Sequence, residues 1–204
     1  QSVSSGSVLV YQRNNDDWTF HSLIKSSNNE AYDFFGSSVA INGSVLAISA
    51  PGEDSNASGL YLSADEDLSN LKINNLALSS GAVYLYKYDS NTDAWTETHY
   101  IKPQKNVVSD SDYDKGFGRS VAINDSLLVI SAPNDNSKTG EAENSEEPNS
   151  GAVHTYAFDN DWRFLKTLKA LNPRAGDQFG SSISLGDNSL AVGAPYQDSD
   201  FNKS

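Results

Sequence analysis

The sequence predicts an all-β protein assembled from a repeated unit of four short antiparallel strands. Two types of segment alternate along the chain, and each occurs three times with fixed internal spacing. The first type runs from Phe-Gly to Ala-Pro, with the Phe fifteen positions before the Ala (35 to 50, 117 to 132 and 179 to 194). The second type ends at a Lys seven positions after a Trp (18 to 25, 95 to 102 and 162 to 169). Such strict recurrence favours a repeat array over a two-sheet sandwich.

The chain begins with a segment of the second type. Residues 6–11 are a predicted strand, a polar turn follows at 14–17, and Trp18 starts a second strand that ends at Lys25. The same pair returns at 81–102 and again at 151–169. Because the strands keep their spacing while the turns vary in length, each pair is predicted to be a β-hairpin.

The Phe-Gly segments are predicted to be hairpins as well. After Phe35, an alternating strand at 39–41 meets a short turn at 42–43, and the middle copy contains the apolar run 127–130. Alternation suits a strand with one buried face, whereas a continuous apolar run suits a strand covered on both faces. The Pro after each Ala ends the second strand, because it has no N–H for a ladder hydrogen bond.

Four consecutive antiparallel strands per unit are typical of β-propeller blades. As one domain over 1–204, the chain is predicted to hold a half-blade at 5–25, whole blades at 35–102 and 117–169, and a half-blade at 179–195. This is fewer than the roughly four to eight blades that close a ring, and open arrays leave unpaired strand edges. Either the remaining blades belong to sequence outside this chain, which contains no Met and is expected to be a processed product or a piece of a longer protein, or a second chain supplies strands.

Charge and composition argue against several classes of function. The formal net charge is −13, and the segments 52–80 and 134–150 each carry five carboxylates and one Lys. Nucleic acid and anionic lipid are therefore not expected as partners, because they require clustered Lys and Arg. No apolar run approaches the ~20 residues of a membrane span, so no membrane insertion is expected. A cation or a basic partner fits this charge better.

The repeated pattern resembles a known family. Phe-Gly-x-x-Val-Ala, Leu-x-Ile-Ser-Ala-Pro and Ser-Gly-Ala-Val-Tyr are similar to the FG-GAP repeat of integrin α-subunit propellers, and closer to its bacterial-type variant, over residues 6–195. The resemblance implies an extracellular or cell-surface, non-enzymatic adhesion module that binds a protein or glycan ligand. Two other functions stay open: a self-assembling subunit whose half-blades complete those of the next copy, and an accessory domain of a secreted hydrolase.

Calcium (Ca²⁺) is the cofactor that the resemblance suggests. In the calcium-binding form of the family an Asp-rich loop joins the Phe-Gly and Ala-Pro strands, whereas the turns here are too short to supply about 6–8 oxygen ligands. Side-chain oxygens elsewhere are the candidate metal ligands: Asp110, Asp112 and Asp114 in an insertion, and Asp54, Asn56, Asp198 and Asp200 after the Ala-Pro pairs. The same residue types also suit solvated loops and turns.

Other recurring residues are predicted to be structural. The Asp before each Phe-Gly is expected to cap backbone N–H groups, at positions 33, 114 and 177. The repeated aromatic residues are expected to pack between blades, namely Trp18, Trp95 and Trp162 with Tyr11, Tyr86 and Tyr156. The histidines are expected on strand surfaces, since they show no metal-binding spacing. The apolar insert at 52–79 either folds back on its blade or forms a docking surface.

Overall fold

A computed structural model describes residues 3–65, 68–104, 116–137 and 147–198. The prediction of an all-β fold built from four-stranded antiparallel units is confirmed. In chain order the elements are β1 (Val8–Asn14), β2 (Asp17–Ile24), β3 (Val39–Asn42), β4 (Val45–Ala50), β5 (Leu60–Leu62), α1 (Leu68–Lys72), β6 (Ala82–Asp89), β7 (Ala94–Ile101), β8 (Val121–Ile123), β9 (Leu127–Ala132), β10 (Ala152–Asp159), β11 (Asp161–Leu168), β12 (Ser182–Leu185) and β13 (Leu190–Gly193).

The strands form four separate sheets. The N-terminal half-blade is the pair β1–β2, and the C-terminal half-blade is the pair β12–β13. The first blade has the order β3-β4-β6-β7-β5, and the second blade has the order β8-β9-β10-β11. All neighbouring strands are antiparallel. Each Phe-Gly segment therefore supplies an inner hairpin, and each Trp-bearing segment supplies an outer hairpin.

The outer hairpins share one register irregularity. A β-bulge interrupts the pairing after Val10, after Leu85 and after Thr155, which lie four residues beyond the equivalent glycines 6, 81 and 151. Bulges increase the local twist of a hairpin. Their recurrence at one position shows that the three repeats are equivalent residue by residue.

The central strands β4 and β9 are buried on both faces, as their apolar sequence predicted. Five of the six residues of β4 and of β9 are buried, and both strands stop at the Ala that precedes Pro51 or Pro133. Inner strand β3 alternates in burial as well, but contrary to the prediction its apolar residues Val39 and Ile41 are the exposed ones, at 50% and 58%. The difference arises because β4 and β9 lie inside a sheet that is covered on both faces.

The insert after Pro51 folds back on the first blade, which was one of the two predicted alternatives. Its residues Leu60–Leu62 form β5, which extends the sheet along the free edge of β7, with Tyr61 opposite Tyr100. Neither β5 nor helix α1 was predicted. α1 has only five residues, and no helix within the described ranges is long or apolar enough to cross a membrane.

Two apolar clusters hold successive sheets together. One joins the N-terminal half-blade to the first blade and includes Ile24, Phe35 and Tyr84. The other joins the first blade to the second and includes Leu85, with Leu128 on the neighbouring sheet. The core of this protein therefore lies between blades, as in other repeat arrays.

A glycine at the start of each outer hairpin allows this close approach. A Cβ on Gly81 would lie 2.2 Å from the carbonyl oxygen of Phe117 in the next blade, and Gly81 has φ +79°. Gly6 and Gly151 meet the next Phe in the same way. Only Gly combines positive φ with the absence of a side chain, so this residue is fixed in every repeat.

The predicted packing of the repeated aromatic residues holds for two repeats and is wrong for the first. Trp162 is 8% exposed and Tyr86 5% exposed, both within the clusters between blades. Trp18 is 65% exposed and Tyr11 50% exposed. These two side chains lie on the outer face of the N-terminal half-blade, where no described sheet covers them.

Candidate ligand-binding face

The inner hairpins start and end at the same side of the sheets, and a cavity of about 390 Å³ opens there. Its walls come from three consecutive repeats, since segments before β3, β8 and β12 meet segments after β4 and β9. The polar side chains on its lining are Ser79, Arg119, Asn134, Gln178 and Ser181. Loops positioned by rigid strands are the usual place for binding residues.

Arg119 departs from the repeat at a position where the other repeats carry Ser. The Ser37 hydroxyl donates to the Phe34 carbonyl at 2.7 Å, and the Ser181 hydroxyl donates to the Gln178 carbonyl at 2.8 Å. The backbone turn is the same at Arg119, whose N–H donates to the Gly116 carbonyl at 2.9 Å. Its side chain is exposed on the cavity, and among the described residues it has no ion-pair partner. An Arg guanidinium in this setting can receive a carboxylate in a bidentate manner.

The predicted metal ligands are only partly within the described residues. Asp54 accepts a hydrogen bond from the Ser79 N–H at 2.6 Å, and the Asn56 N–H donates to the Asn74 side chain at 2.9 Å. Both therefore fasten the two ends of the insert, while Asp198 is exposed in the last described segment. Asp110, Asp112, Asp114 and Asp200 lie outside the described residues. Across the part of the chain that the structure describes, no three acidic, His or Cys side chains form a metal-binding group.

Two acidic residues of the post-Pro segments have a structural role that the sequence analysis did not assign to them. Glu53 and Lys102 form an ion pair in which the side chains are 1% and 0% exposed. In the second blade, Asp135 Oδ1 lies 3.1 Å from Lys169 Nζ. Each acid stands two residues after the Pro, and each Lys stands seven residues after the Trp. This recurrence was visible in the sequence and would have identified the pair.

A serine completes each of these ion pairs. Lys102 Nζ donates to the Ser80 hydroxyl at 2.6 Å, and Lys169 Nζ donates to the Ser150 hydroxyl at 2.9 Å. Burial lowers the pKa of Lys102 below its ordinary value of 10.5, against the attraction of Glu53. Burial raises the pKa of Asp135, but Lys169 and a hydrogen bond from Ser137 outweigh it and hold that pKa below 3.8. The Lys-acid-Ser group therefore links the inner and outer hairpins of a blade through buried charge.

The capping role predicted for the Asp before Phe-Gly is confirmed where it can be seen. Asp33 accepts from the Glu30 N–H at 3.1 Å, and Asp177 accepts from the Arg174 N–H at 2.9 Å. Burial raises the pKa of Asp33 to about 7, although the hydrogen bond from Glu30 opposes this shift. Asp114 lies outside the described residues.

The histidines are not simple surface residues, contrary to the prediction. His99 and His154 are buried, and His21 is half-buried. His99 Nε2 lies 2.8 Å from Asp161 Oδ1 at the start of β11, and His21 Nε2 lies 2.9 Å from Asp93 Oδ1 in the turn before β7. These two contacts fasten successive blades at their outer edge.

Comparison with known families agrees with this architecture. The model of a family described as FG-GAP repeat matches residues 18–62, 102–156 and 162–204, which together make up more than two thirds of the chain. Each matched region contains one Phe-Gly inner hairpin. No curated protein matches the chain.

Proposed function

The chain belongs to the FG-GAP repeat family, and from this premise we propose that it is a non-enzymatic adhesion module that binds a ligand at its cavity. FG-GAP repeats are typical of β-propeller modules and are common in extracellular and cell-surface proteins. The observation that carries the proposal is the exposed Arg119 on a cavity built from three repeats. Family membership supports an adhesion module, and the replacement of Ser by Arg119 supports a binding site at this cavity.

The ligand class follows from the chemistry of the lining. In a chain of net charge −13, Arg119 creates a local positive potential that attracts an acidic group. Asn134 and Gln178 add amide donors and acceptors around it, and Ser79 adds a hydroxyl. We propose that the cavity receives a carboxylate carried by a protein or glycan ligand at a cell surface. The surrounding loops would then form the polar rim of the contact.

The sequence just before the cavity-lining Gly116 suggests a role for calcium. Asp110, Asp112 and Asp114 precede Gly116, which lines the cavity. Carboxylates at alternate positions are a common source of calcium ligands. We propose that calcium bound by this segment stabilises the cavity wall, so ligand binding should weaken when calcium is removed.

The variant Arg119→Ser provides the sharpest test, because it restores the residue that the other two repeats carry. Binding would be measured on an array of acidic and neutral glycans and on acidic peptides, with calcium and with chelator. We expect acidic probes to be selected over neutral ones, and Arg119→Ser to bind them at least about 10-fold more weakly. Chelator is expected to weaken binding to the unchanged protein.

A matched control removes the same charge elsewhere. Arg163 is exposed on β11, away from the cavity lining, so Arg163→Ser should leave binding unchanged. Equal losses in both variants would attribute the effect to net charge and contradict the proposed site. Absence of binding to every acidic probe would contradict the proposed ligand class.

A further inference from the structure

The N-terminal half-blade has an open edge at a place where both whole blades are closed. In the first blade β6 pairs with β4, with Ala82 opposite Ala50, and in the second blade β10 pairs with β9, with Ala152 opposite Ala132. The equivalent strand β1 has only β2 as a partner within the described residues. Its free edge therefore offers the hydrogen-bonding pattern that an inner hairpin takes up in the other blades.

One face of this half-blade is apolar and uncovered. The equivalent glycines 6 and 81 align Leu9 with Tyr84, and Tyr11 with Tyr86. The two side chains of the first blade are 0% and 5% exposed, whereas Leu9 and Tyr11 are 52% and 50% exposed. Trp18, Phe20 and Leu23 on β2 are exposed too. This face has the apolar composition of a surface that packs against a neighbouring blade, but no described sheet covers it.

The surroundings of Lys25 indicate which residue an inner hairpin docked at this edge should carry. It occupies the position of Lys102 and Lys169, which both pair with an acid and a Ser. Lys25 keeps the Ser contact, 3.3 Å from the Ser5 hydroxyl, and donates to the Gly6 carbonyl at 2.8 Å. It is exposed, and within the described ranges no carboxylate forms an ion pair with it. An inner hairpin docked here would bury its ammonium, which requires a counter-charge.

The chain's own C-terminal half-blade does not supply that charge. Gln197 stands two residues after Pro195, at the position of Glu53 and Asp135. The three positions are structurally equivalent, because each N–H closes the same turn onto the preceding Ala carbonyl, at 3.2 Å for Gln197, 3.2 Å for Glu53 and 3.1 Å for Asp135. Asp198 corresponds to Asp54, whose carboxylate binds the Ser79 N–H and not the Lys.

We propose that the N-terminal half-blade is completed by an inner hairpin of the FG-GAP type that carries Asp or Glu at the second position after its Pro. A second copy of this chain, offering β12–β13 with Gln197, is the wrong partner for Lys25. The charge at one register position thus selects the hairpin that closes the blade. This inference does not depend on the ligand proposed for the cavity.

Synthetic peptides added to the whole chain test this selection. The first probe is residues 117–137, which ends in Ala-Pro-Asn-Asp-Asn-Ser and contains neither Trp nor Tyr. Its matched partner carries Asp135→Asn. The second pair is residues 179–198 with Gln197 and the same peptide with Gln197→Glu. Fluorescein-labelled forms give affinities by anisotropy, and the Lys25→Gln protein reports whether the peptides dock at this edge.

The peptide with Asp135 is expected to bind saturably. The Asp135→Asn peptide is expected to bind about 30-fold more weakly, as when one partner of a buried charge pair is removed. The native 179–198 peptide should be similarly weak, and Gln197→Glu should strengthen it. The Lys25→Gln protein should no longer bind the Asp135 peptide more tightly than its Asn form, or the Gln197→Glu peptide more tightly than its native form.

Three results would overturn the inference. One is equal affinity for the Asp and Asn forms of the first peptide. Another is a native 179–198 peptide that binds as tightly as residues 117–137, which would favour completion by a second copy. The third is the absence of saturable binding by every peptide. Because Lys25 is exposed, the Lys25→Gln protein should fold normally, and its circular dichroism spectrum checks this.

Discussion

Replacing Glu53 by Gln should leave the Lys102 ammonium buried without its counter-charge. Both side chains are essentially inaccessible to water, at 1% and 0% exposure, so solvent cannot replace the lost carboxylate. Removal of one partner of a buried pair costs about 3–5 kcal/mol. Since a domain is stabilised by only about 5–15 kcal/mol, we expect a large loss in the free energy of unfolding.

Urea denaturation followed by circular dichroism measures this loss. With a slope of roughly 2 kcal/mol per molar urea, the midpoint of the Glu53→Gln variant should fall by about 1.5 to 2.5 M. The double variant Glu53→Gln/Lys102→Met removes both charges and keeps the volume of the Lys side chain. Its stability should return to within about 1–2 kcal/mol of the original protein, because a hydrophobic residue no longer requires a counter-charge.

The second blade offers a graded comparison. Its pair of Asp135 and Lys169 is less completely buried, with side chains 15% and 7% exposed. Asp135→Asn should therefore cost less than Glu53→Gln. The reasoning would be refuted if Glu53→Gln cost under about 1 kcal/mol, or if the double variant were no more stable than the single one.

Two further expectations concern pH. Burial raises the pKa of Asp33 to about 7, so the folded chain keeps a proton that the unfolded chain releases near pH 4, and stability should fall between pH 4 and 7 by at most about 1.4 kcal/mol per unit. Asp33→Asn should flatten this part of the profile in urea titrations at pH 4.5, 5.5 and 7, and an unchanged profile would contradict it. Burial also raises the pKa of four tyrosines above the ordinary 10, namely Tyr84, Tyr86, Tyr100 and Tyr156. Because the unfolded chain loses these protons first, stability should decline above about pH 10, and absorbance at 295 nm should show these side chains ionising only together with the loss of the circular dichroism signal. Ionisation of all ten tyrosines while that signal persists would contradict this.

Local pattern was sufficient to predict the strands of the repeated hairpins. Period-two alternation, polar turns and the Pro after Ala depend on neighbouring residues only, so β3, β4, β8 and β9 could be placed from the sequence. The helix α1 and the fifth strand β5 could not be placed in this way. β5 exists because the free edge of β7 accepts it, and an edge is a property of the assembled sheet.

The candidate site was harder to predict because similar acidic residues play different parts. Glu53 and Asp54 are adjacent in the sequence and looked alike as loop carboxylates. In the structure, Glu53 forms an ion pair with Lys102 inside the blade, whereas Asp54 accepts a hydrogen bond from the Ser79 N–H at the edge of the insert. Which one turns inward depends on the position of the outer hairpin, about 50 residues away in the sequence.

Internal repetition makes the departures informative. Where three repeats carry the same residue, a common structural duty explains it, as with the Gly that meets the next Phe. Where one repeat differs while its backbone stays the same, structure does not require the change. Arg119 in place of Ser and Gln197 in place of an acid are two such positions. The first places a cation on a cavity, and the second removes the charge that Lys25 needs. Under the two proposals, the ligand and the blade-completing hairpin are each selected by a single side chain at a fixed position of an otherwise uniform repeat.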